Sequence, residues 1–192
     1  MSDQQGWLNR RNFLIGLAAS PFMLSHDVLA ADNTNDWRKK LLQQRRELNL
    51  YRPSTKERYN FCYWTPESGY DKKAYLQGAW LLRDAEYKQQ HFIDPELFNV
   101  LFLIQEWLRR EGRPSDIHIL SGYRTPEHNF RLEKAAKQSL HMQGKAADIH
   151  VPGVSTKLLA AMCMMLSAGG VGIYLDNGFI HVDTGKIRTW RG

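Results

Sequence analysis

The stretch that decides the fold is Ser139–His150, S-L-H-M-Q-G-K-A-A-D-I-H, taken together with Phe179–Gly185, F-I-H-V-D-T-G. Each contains a short run of small, β-branched or aromatic residues, which predicts a strand over 146–151 and another over 179–183. Both strands carry ionisable side chains inside an otherwise apolar run. Such groups are costly to bury unless something pairs with them, so the sequence indicates a functional site on these two strands.

Strands and helices are predicted in mixed order along the rest of the chain. Alternating polar and apolar residues on either side of a turn predict a hairpin over 47–51 and 57–64, and a second over 171–174 and 179–183. Helices are predicted over 71–87, 95–110, 126–138 and 155–167, and a short strand over 117–120. Because helices and strands do not alternate strictly, we predict an α+β fold: a small antiparallel sheet that carries the site, flanked by helices.

The first thirty residues predict an export signal. Arg10 and Arg11 precede an apolar run that begins at Phe13, and Val28-Leu29-Ala30 offers a small-residue cleavage site. Paired arginines before an apolar segment resemble a twin-arginine signal, which exports folded proteins in bacteria; an ordinary signal with a chance arginine pair is the alternative. We therefore predict a signal at 1–30, a tether at 31–45 and a single domain at 46–192, divided into a hairpin and helices (46–110) and the site-bearing core (111–192).

Composition limits the partners. With only Cys62 and Cys163, the chain cannot form a disulfide scaffold or a cysteine zinc site, and the two form either one bridge or two buried thiols. The net charge of +6 favours an anionic partner such as nucleic acid, acidic lipid or acidic cell-wall polymer. Export argues against nucleic acid. No apolar run reaches the length of a membrane span, so we predict a soluble periplasmic protein without stable membrane insertion after signal cleavage.

Three residues in the two strands and the loop before them offer a donor set for a metal. A catalytic zinc ion takes three protein donors from histidine and carboxylate side chains and keeps a fourth position open. His141, Asp148 and His181 supply two imidazoles and one carboxylate, and Gly144 allows a tight turn that places the first opposite the second. By spacing alone, Asp148 could equally be a cap or ion-pair partner and His181 a core histidine.

Four ordered motifs carry a family resemblance. They are S-G-Y-R at 121–124, S-x-H-x-x-G-x-A-x-D at 139–148, G-G-V-G at 169–172 and F-I-H-V-D-T-G at 179–185. With these motifs the chain resembles the zinc peptidases grouped with lysostaphin, the D-Ala-D-Ala peptidases and the hedgehog domain. Within that group it resembles the MepK-type (YcbK-like) periplasmic murein endopeptidases, which also begin with a twin-arginine signal. The resemblance is strong from about Ile93 to Trp190.

The resemblance implies roles for single residues. Arg124 matches an arginine that meets the substrate carboxylate or carbonyl, which suits a guanidinium fork, although a surface ion pair is the alternative. Ser139 matches a serine near bound substrate and could equally be a helix cap. Tyr123, in the same motif as Arg124, is taken as a substrate contact. The residues that match the family's zinc ligands are His141, Asp148 and His181.

The general base is where the chain departs from the family pattern. Many D-Ala-D-Ala peptidases carry a glutamate a few residues before the last histidine ligand, whereas this chain has N-G-F-I at 177–180. Asp183 lies two residues after His181, so both side chains share a face of the strand. Asp183 is therefore either the catalytic base or a support that orients the imidazole. His150 stands in the same relation to Asp148 and could polarise the carbonyl or steady the oxyanion, or be purely structural.

The function implied by the resemblance is zinc-dependent hydrolysis of peptide cross-links in peptidoglycan during cell-wall remodelling, those joining two diaminopimelate residues among them. The implied partners are peptidoglycan stem peptides, whose carboxylates suit a basic surface, and the twin-arginine export machinery. Two alternatives stay open: a D-Ala-D-Ala carboxypeptidase or dipeptidase, and a non-catalytic, zinc-containing cell-wall binding protein, which the missing glutamate favours. The sequence does not indicate the oligomeric state or regulation.

Overall fold

A computed structural model describes residues 37–132 and 136–192 of the chain. Within these residues the strands join into a single eight-stranded sheet. The elements are α1 (Trp37–Leu42), β1 (Arg46–Arg52), β2 (Glu57–Thr65), β3 (Gly69–Tyr70), α2 (Lys72–Leu81), α3 (Pro95–Arg110), β4 (Ile117–Ser121), α4 (Pro126–Arg131), a 3₁₀ helix (Leu140–Gln143), β5 (Ala146–His150), α5 (Thr156–Leu166), β6 (Gly170–Tyr174), β7 (Phe179–Asp183) and β8 (Arg188–Arg191).

The sheet order is β3-β2-β1-β4-β5-β7-β6-β8. Both predicted hairpins are present, as the antiparallel pairs β1–β2 and β6–β7. The central strand β5 runs antiparallel to β4 on one side and to β7 on the other. In this register Asp148 of β5 lies opposite His181 of β7 and Ser121 of β4. The register therefore brings three parts of the sequence that carry motifs to one place.

The helices bury one face of the sheet. Helix α2 contacts β1 and β2, α3 contacts β1, and α5 contacts β6 and β7. The alternate residues that point toward the helices form the core, and they include Leu48, Leu50, Phe61, Ile119, Ile149, Ile180 and Val182. Since side chains alternate along a strand, the intervening residues of β5 and β7, among them Asp148 and His181, share the other face. The core thus supports the polar face from behind.

Helix α3 was the most regular helix in the sequence and it forms as predicted. Asp94 caps it by accepting the amide of Glu96 at 3.0 Å, and Pro95 occupies the first helical turn. The predicted apolar face is buried at Leu97, Val100, Leu101, Ile104 and Leu108, and Trp107 is partly buried. Helical periodicity and a local cap were sufficient to define this element.

The α+β prediction is confirmed, but the sheet is larger than the small one predicted. Two pairs, β1–β4 and β6–β8, are parallel, and the short edge strands β3 and β8 were not predicted. Two helices are shorter than predicted. Helix α2 ends at Leu81 instead of 87, because the residues after it form a turn in which the Tyr87 amide donates to the Asp84 side chain at 3.3 Å. Helix α4 ends at Arg131 instead of 138, where Leu132 adopts an extended backbone.

Part of the predicted tether 31–45 is helix α1. Its Leu41 is buried, and the ring of Trp37 packs edge-on against Trp107 with 5.3 Å between centroids. The predicted export signal at 1–30 lies outside the described residues. Among the residues that the structure describes, no helix is long and apolar enough to cross a membrane.

The two cysteines are free thiols. Cys163 is buried in α5, and burial raises the pKa of its thiol. Cys62 is half-buried on β2. Of the two possibilities left open by the sequence, the structure contains thiols and no bridge between these residues.

Candidate metal centre

Three buried side chains from three elements converge on one point. His141 Nε2 lies 3.2 Å from Asp148 Oδ1 and 3.0 Å from His181 Nδ1, and the last two atoms are 3.0 Å apart. Asp148 comes from the middle of β5, His181 from the middle of β7, and His141 from the 3₁₀ helix. These are the three residues that the sequence predicted as metal ligands, and the structure brings them together.

A tight turn places His141 over the sheet. Ser139 caps the 3₁₀ helix by accepting the His141 amide at 3.3 Å, and Gly144 ends it with φ 65°, in the left-handed region. A Cβ at Gly144 would lie 2.0 Å from the carbonyl oxygen of Phe92, so only glycine fits this turn. Asp94 donates its amide to the Gly144 carbonyl at 2.9 Å. The turn is therefore fixed both by its own cap and by the start of α3.

The hydrogen bonds behind each imidazole decide which nitrogen faces the cluster. His141 Nδ1 lies 2.6 Å from the carbonyl oxygen of Gly122, which can only accept, so Nδ1 carries the proton and Nε2 has the lone pair. His181 Nε2 lies 2.9 Å from Asp183 Oδ2, so in the neutral ring the lone pair is on Nδ1. Two lone pairs and the Asp148 carboxylate oxygen thus point at one another. A cation between them would relieve this repulsion.

The donor geometry fits a small divalent ion. Tetrahedral zinc with bonds of about 2.0–2.1 Å holds its ligand atoms about 3.3 Å apart. The three separations in the cluster, 3.0 to 3.2 Å, are close to that spacing. Two nitrogens and one oxygen form the kind of donor set that leaves a fourth position for water or substrate. The cluster can therefore hold a catalytic metal ion.

The pKa values of His141 and Asp148 are lowered, whereas the pKa of His181 is raised. Burial lowers the pKa of His141, which keeps its ring neutral and its lone pair available. Burial alone would raise the pKa of Asp148, but His141, His181 and Arg124 outweigh burial and hold the pKa below its ordinary value. Burial alone would lower the pKa of His181, but its bonds to Asp148 and Asp183 raise it. Asp148 is thus held as an anion, and without metal a proton is drawn to His181.

Asp183 is fully occupied by hydrogen bonds. Its carboxylate accepts from His181 Nε2 at 2.9 Å and from the amides of Gly170 and Gly185 at 3.0 and 2.8 Å. Both terminal nitrogens of Arg188 also donate to it, at 3.1 and 2.8 Å. Burial alone would raise the pKa of Asp183, but these donors lower it. The contacts match the orienting role and leave no lone pair free for the role of base.

Arg124 lies at the edge of the cluster. Its terminal nitrogen Nη2 forms an ion pair with Asp148 Oδ2, and its Nε donates to Ser121 Oγ at 2.8 Å. Its Nη1 makes no hydrogen bond to any residue in the described part of the chain. The guanidinium therefore holds the carboxylate in place and keeps one donor edge for another group.

The other predicted site residues lie around the cluster without joining it. His150 shares the polar face with Asp148, and its Nδ1 donates to the carbonyl of Gly178 at 2.9 Å. Tyr123 is only 8% exposed and stacks on His91 with 4.4 Å between ring centroids. Ser139 serves as the cap of the 3₁₀ helix, which was the alternative considered for it.

Two residues of β8 that the sequence did not single out belong to this site. Arg188 pairs with Asp183, and the ring of Trp190 lies 5.1 Å from the His181 ring. Their role depends on β8 pairing in parallel with β6, a long-range contact without a local signal. Recognising β8 as a strand would have been the only way to find them.

Comparison with known proteins places the chain in a family. The family model described as peptidoglycan L,D-endopeptidase MepK matches residues 40–190. The chain belongs to this family. The predicted kinship with MepK-type murein peptidases is confirmed. No solved structure matches the chain.

Two curated relatives illustrate the similarity. A protein of Haemophilus influenzae named probable peptidoglycan L,D-endopeptidase MepK is 38% identical over 117 residues, which is 59% of this chain and 62% of that protein. The peptidoglycan L,D-endopeptidase MepK of Escherichia coli (strain K12) is 32% identical over 130 residues, 63% of this chain and 70% of that protein. The match to the first therefore covers somewhat less than two thirds of its length.

Proposed function

We propose that this protein is a zinc-dependent peptidoglycan L,D-endopeptidase that hydrolyses peptide cross-links between stem peptides. The observation that carries the proposal is the buried triad of His141, Asp148 and His181, whose lone pairs meet within 3.2 Å in a member of a peptidoglycan peptidase family. The names of the relatives support an L,D bond, of which the link between two diaminopimelate residues is an example.

The ion we propose is zinc, held by His141 Nε2, Asp148 Oδ1 and His181 Nδ1. Mixed nitrogen and oxygen donors with an open position are typical of hydrolytic zinc sites. When bound, zinc would supply Lewis acidity toward the scissile carbonyl and a water of lowered pKa. Asp183 orients His181 by accepting its Nε2 proton, which keeps Nδ1 available as a donor.

Arg124 binds and orients the substrate. Its Nη2 and Nε are used by Asp148 and Ser121, so Nη1 is the edge that can donate to a substrate carbonyl or carboxylate. A guanidinium keeps its charge at all relevant pH values and matches a carboxylate in geometry. A donor at the cluster edge would also stabilise negative charge that develops on the carbonyl oxygen during hydrolysis.

His150 is the residue we propose for proton transfer. Since Asp183 has no free lone pair and the four residues before His181, N-G-F-I, contain no glutamate, another base on the polar face is needed. The carbonyl of Gly178 fixes the proton of neutral His150 on Nδ1, so Nε2 keeps its lone pair and can accept a proton from the attacking water. His150 follows Asp148 by two residues on the same face of β5, about 6.6 Å along the strand.

The site of action we propose is the periplasm. The support is the twin-arginine-type signal in residues 1–30, with paired arginines, an apolar run and a small-residue cleavage site. A net charge of +6 suits a polymer rich in carboxylates. The proposed partners are therefore peptidoglycan stem peptides and, during export, the twin-arginine machinery.

The test is product analysis on defined muropeptides. Purified protein lacking residues 1–30 is incubated with dimers cross-linked through an L,D or a D,D bond, and the products are identified by mass spectrometry. Conversion of the L,D-linked dimers to monomers is expected. Intact dimers with loss of a terminal D-alanine would instead indicate a carboxypeptidase, and unchanged dimers a binding protein. His150→Gln, which keeps a polar side chain, is expected to lose most of the activity and retain the metal.

A further inference from the structure

A second polar cluster contacts the segment 122–125, which carries Arg124, and takes no part in the proposed reaction. At its centre is Asp84, in the loop after α2, whose side chain is completely buried. Its carboxylate accepts from the Thr125 amide at 2.8 Å, the Thr125 hydroxyl at 3.1 Å, the Tyr87 amide at 3.3 Å and His128 Nδ1 at 3.0 Å. A carboxylate is costly to bury unless hydrogen bonds compensate for the lost water, and here four donors provide that compensation.

These bonds hold the segment 122–125 against the end of α2. Besides the two bonds from Thr125 to Asp84, the amide of Tyr123 donates to the carbonyl of Leu82 at 2.7 Å. A Cβ at Gly122 would lie 2.3 Å from that same carbonyl oxygen, so the two backbones are as close as glycine allows. The segment is thus clamped at Gly122–Tyr123 by backbone contact and at Thr125 by the Asp84 carboxylate.

The clamped segment carries two groups of the candidate centre. The Gly122 carbonyl accepts from His141 Nδ1 at 2.6 Å and so selects the tautomer with its lone pair toward the metal position. Arg124, between the two clamped points, pairs with Asp148, and its amide donates to the His141 carbonyl at 3.3 Å. A shift of this segment would therefore move a metal ligand and a substrate-binding guanidinium together.

We propose that Asp84 is a positioning residue for the reaction: its carboxylate fixes segment 122–125, and through that segment it sets the orientation of His141 and the place of Arg124. The proposal rests on the proposed function for its kinetic consequences. Its geometric consequence, the hydrogen bond of His141 to Gly122, can be observed without catalysis. If Asp84 served only to stabilise the start of α4, its replacement would leave the hydrogen bond between His141 and Gly122 unchanged.

The carboxylate cannot be replaced by an amide without loss. All four groups that bond to Asp84 are donors, and two of them, the amide and the hydroxyl of Thr125, both donate to Oδ2. In Asp84→Asn one oxygen becomes an NH₂ group, which cannot accept from any of them. His128 Nδ1 lies 3.0 Å from both oxygens, so the variant loses either both Thr125 bonds or the Tyr87 bond, and in either orientation it loses the negative charge that strengthens the remaining bonds. The matched control is Glu86→Gln, which makes the same acid-to-amide change on the other side of His128, where Glu86 is exposed and pairs with Nε2 at 3.3 Å.

The experiment compares wild type, Asp84→Asn, Glu86→Gln and Leu108→Ala. The last variant truncates a fully buried core residue of α3 and lowers stability without touching the site. Two quantities are measured: kcat and KM on an L,D-linked muropeptide, corrected for the folded fraction, and the Nδ1 proton and nitrogen signals of His141 in the metal-free protein by NMR. Misplacement of reacting groups by about 1 Å is known to cost about 100-fold in rate.

The expected result is a loss of about 10- to 100-fold in kcat/KM for Asp84→Asn, together with a changed His141 Nδ1 signal. Glu86→Gln and Leu108→Ala should keep the wild-type value per folded molecule and the wild-type signal. A folded Asp84→Asn with unchanged kcat/KM and His141 signal would overturn the proposal, as would an activity loss that follows stability alone and equals that of Leu108→Ala.

Two further arms keep the test decisive. If Asp84→Asn does not fold, Thr125→Val is used, which removes the hydroxyl bond to Asp84. This variant is expected to give a smaller loss in kcat/KM and a smaller change of the His141 signal in the same direction. No change in either quantity would overturn the proposal. If the wild type does not cleave any dimer, the proposed function fails, and the His141 signal alone then decides whether Asp84 positions the segment.

Discussion

Replacing Asp183 by asparagine distinguishes the two roles that its sequence position allows. The Asn oxygen can keep the amides of Gly170 and Gly185, which lie 3.0 and 2.8 Å from the present Oδ1. The NH₂ group then takes the place of Oδ2 and faces His181 Nε2, where two donors would meet. Arg188 is 44% exposed and can turn to water, but His181 is buried and cannot.

His181 has one way to resolve this conflict. If its proton moves from Nε2 to Nδ1, Nε2 can accept from the amide, but Nδ1 then presents a proton to the metal position. Loss of a partner behind a metal-binding histidine costs about 10- to 100-fold in metal affinity. That range corresponds to about 1.4–2.8 kcal/mol, in line with the loss of one hydrogen bond to a charged group.

We therefore expect Asp183→Asn to bind zinc about 10- to 100-fold more weakly in competition with a chromophoric chelator. With saturating zinc, its kcat should return to within about tenfold of wild type if Asp183 orients His181 and is not the base. Arg188→Met, which leaves the carboxylate in place, serves as the control and should change both quantities less. Unchanged zinc affinity together with a kcat loss of about 100-fold or more at saturating zinc would refute the orienting role and make Asp183 the base.

Three further predictions concern the fold. Gly144→Ala should lower the melting temperature of the metal-free protein by at least about 4 °C, because the left-handed backbone costs about 1–2 kcal/mol and the new Cβ clashes with Phe92. Gly112→Ala, at φ 62° with no atom within 4 Å of the new Cβ, should lower it less. Equal shifts in the two variants would contradict the clash. In the native protein a thiol reagent should label Cys62 and leave buried Cys163 unlabelled until unfolding, and labelling of neither residue in either state would indicate a bridge. The ion pair with Arg58 lowers the pKa of Asp116 below its ordinary value of 3.8. The ion pair therefore stabilises the protein fully above pH 3.8, and this stabilisation is lost as pH falls through the lower pKa of the native state. The free energy of unfolding should depend less on pH below about 4 in Asp116→Asn than in wild type, and equal slopes would contradict the assignment.

The parts of the fold that could be predicted are those with local signals. Helix α3 has a capping aspartate, a proline in its first turn and a periodic apolar face, and the β6–β7 hairpin has an Asn-Gly turn. Strand β8, R-T-W-R, has no such pattern, because it is an exposed edge strand held by its pairing with β6 and by the bond of Trp190 to Tyr174. Its existence depends on contacts that no local pattern contains.

The site divides in the same way. His141, Asp148 and His181 could be named because they stand in ordered motifs, and the structure brings their donor atoms together. Asp84 and Arg188 could not, because each acts on the centre through another residue. Asp84 is 41 positions from its partner Thr125, and Arg188 acts through the register of an unpredicted strand. Residues that support a site from behind are determined by packing, which the sequence pattern does not reveal.

The most direct test of the account is the activity of metal-free protein as zinc is added in measured equivalents. Hydrolysis of an L,D-linked muropeptide dimer should be absent without metal, rise in proportion to added zinc and level off at one equivalent, and His181→Ala should stay inactive throughout the same range. Hydrolysis by the metal-free wild type, or full activation of His181→Ala by one equivalent, would contradict the central claim that His141, Asp148 and His181 hold the catalytic ion.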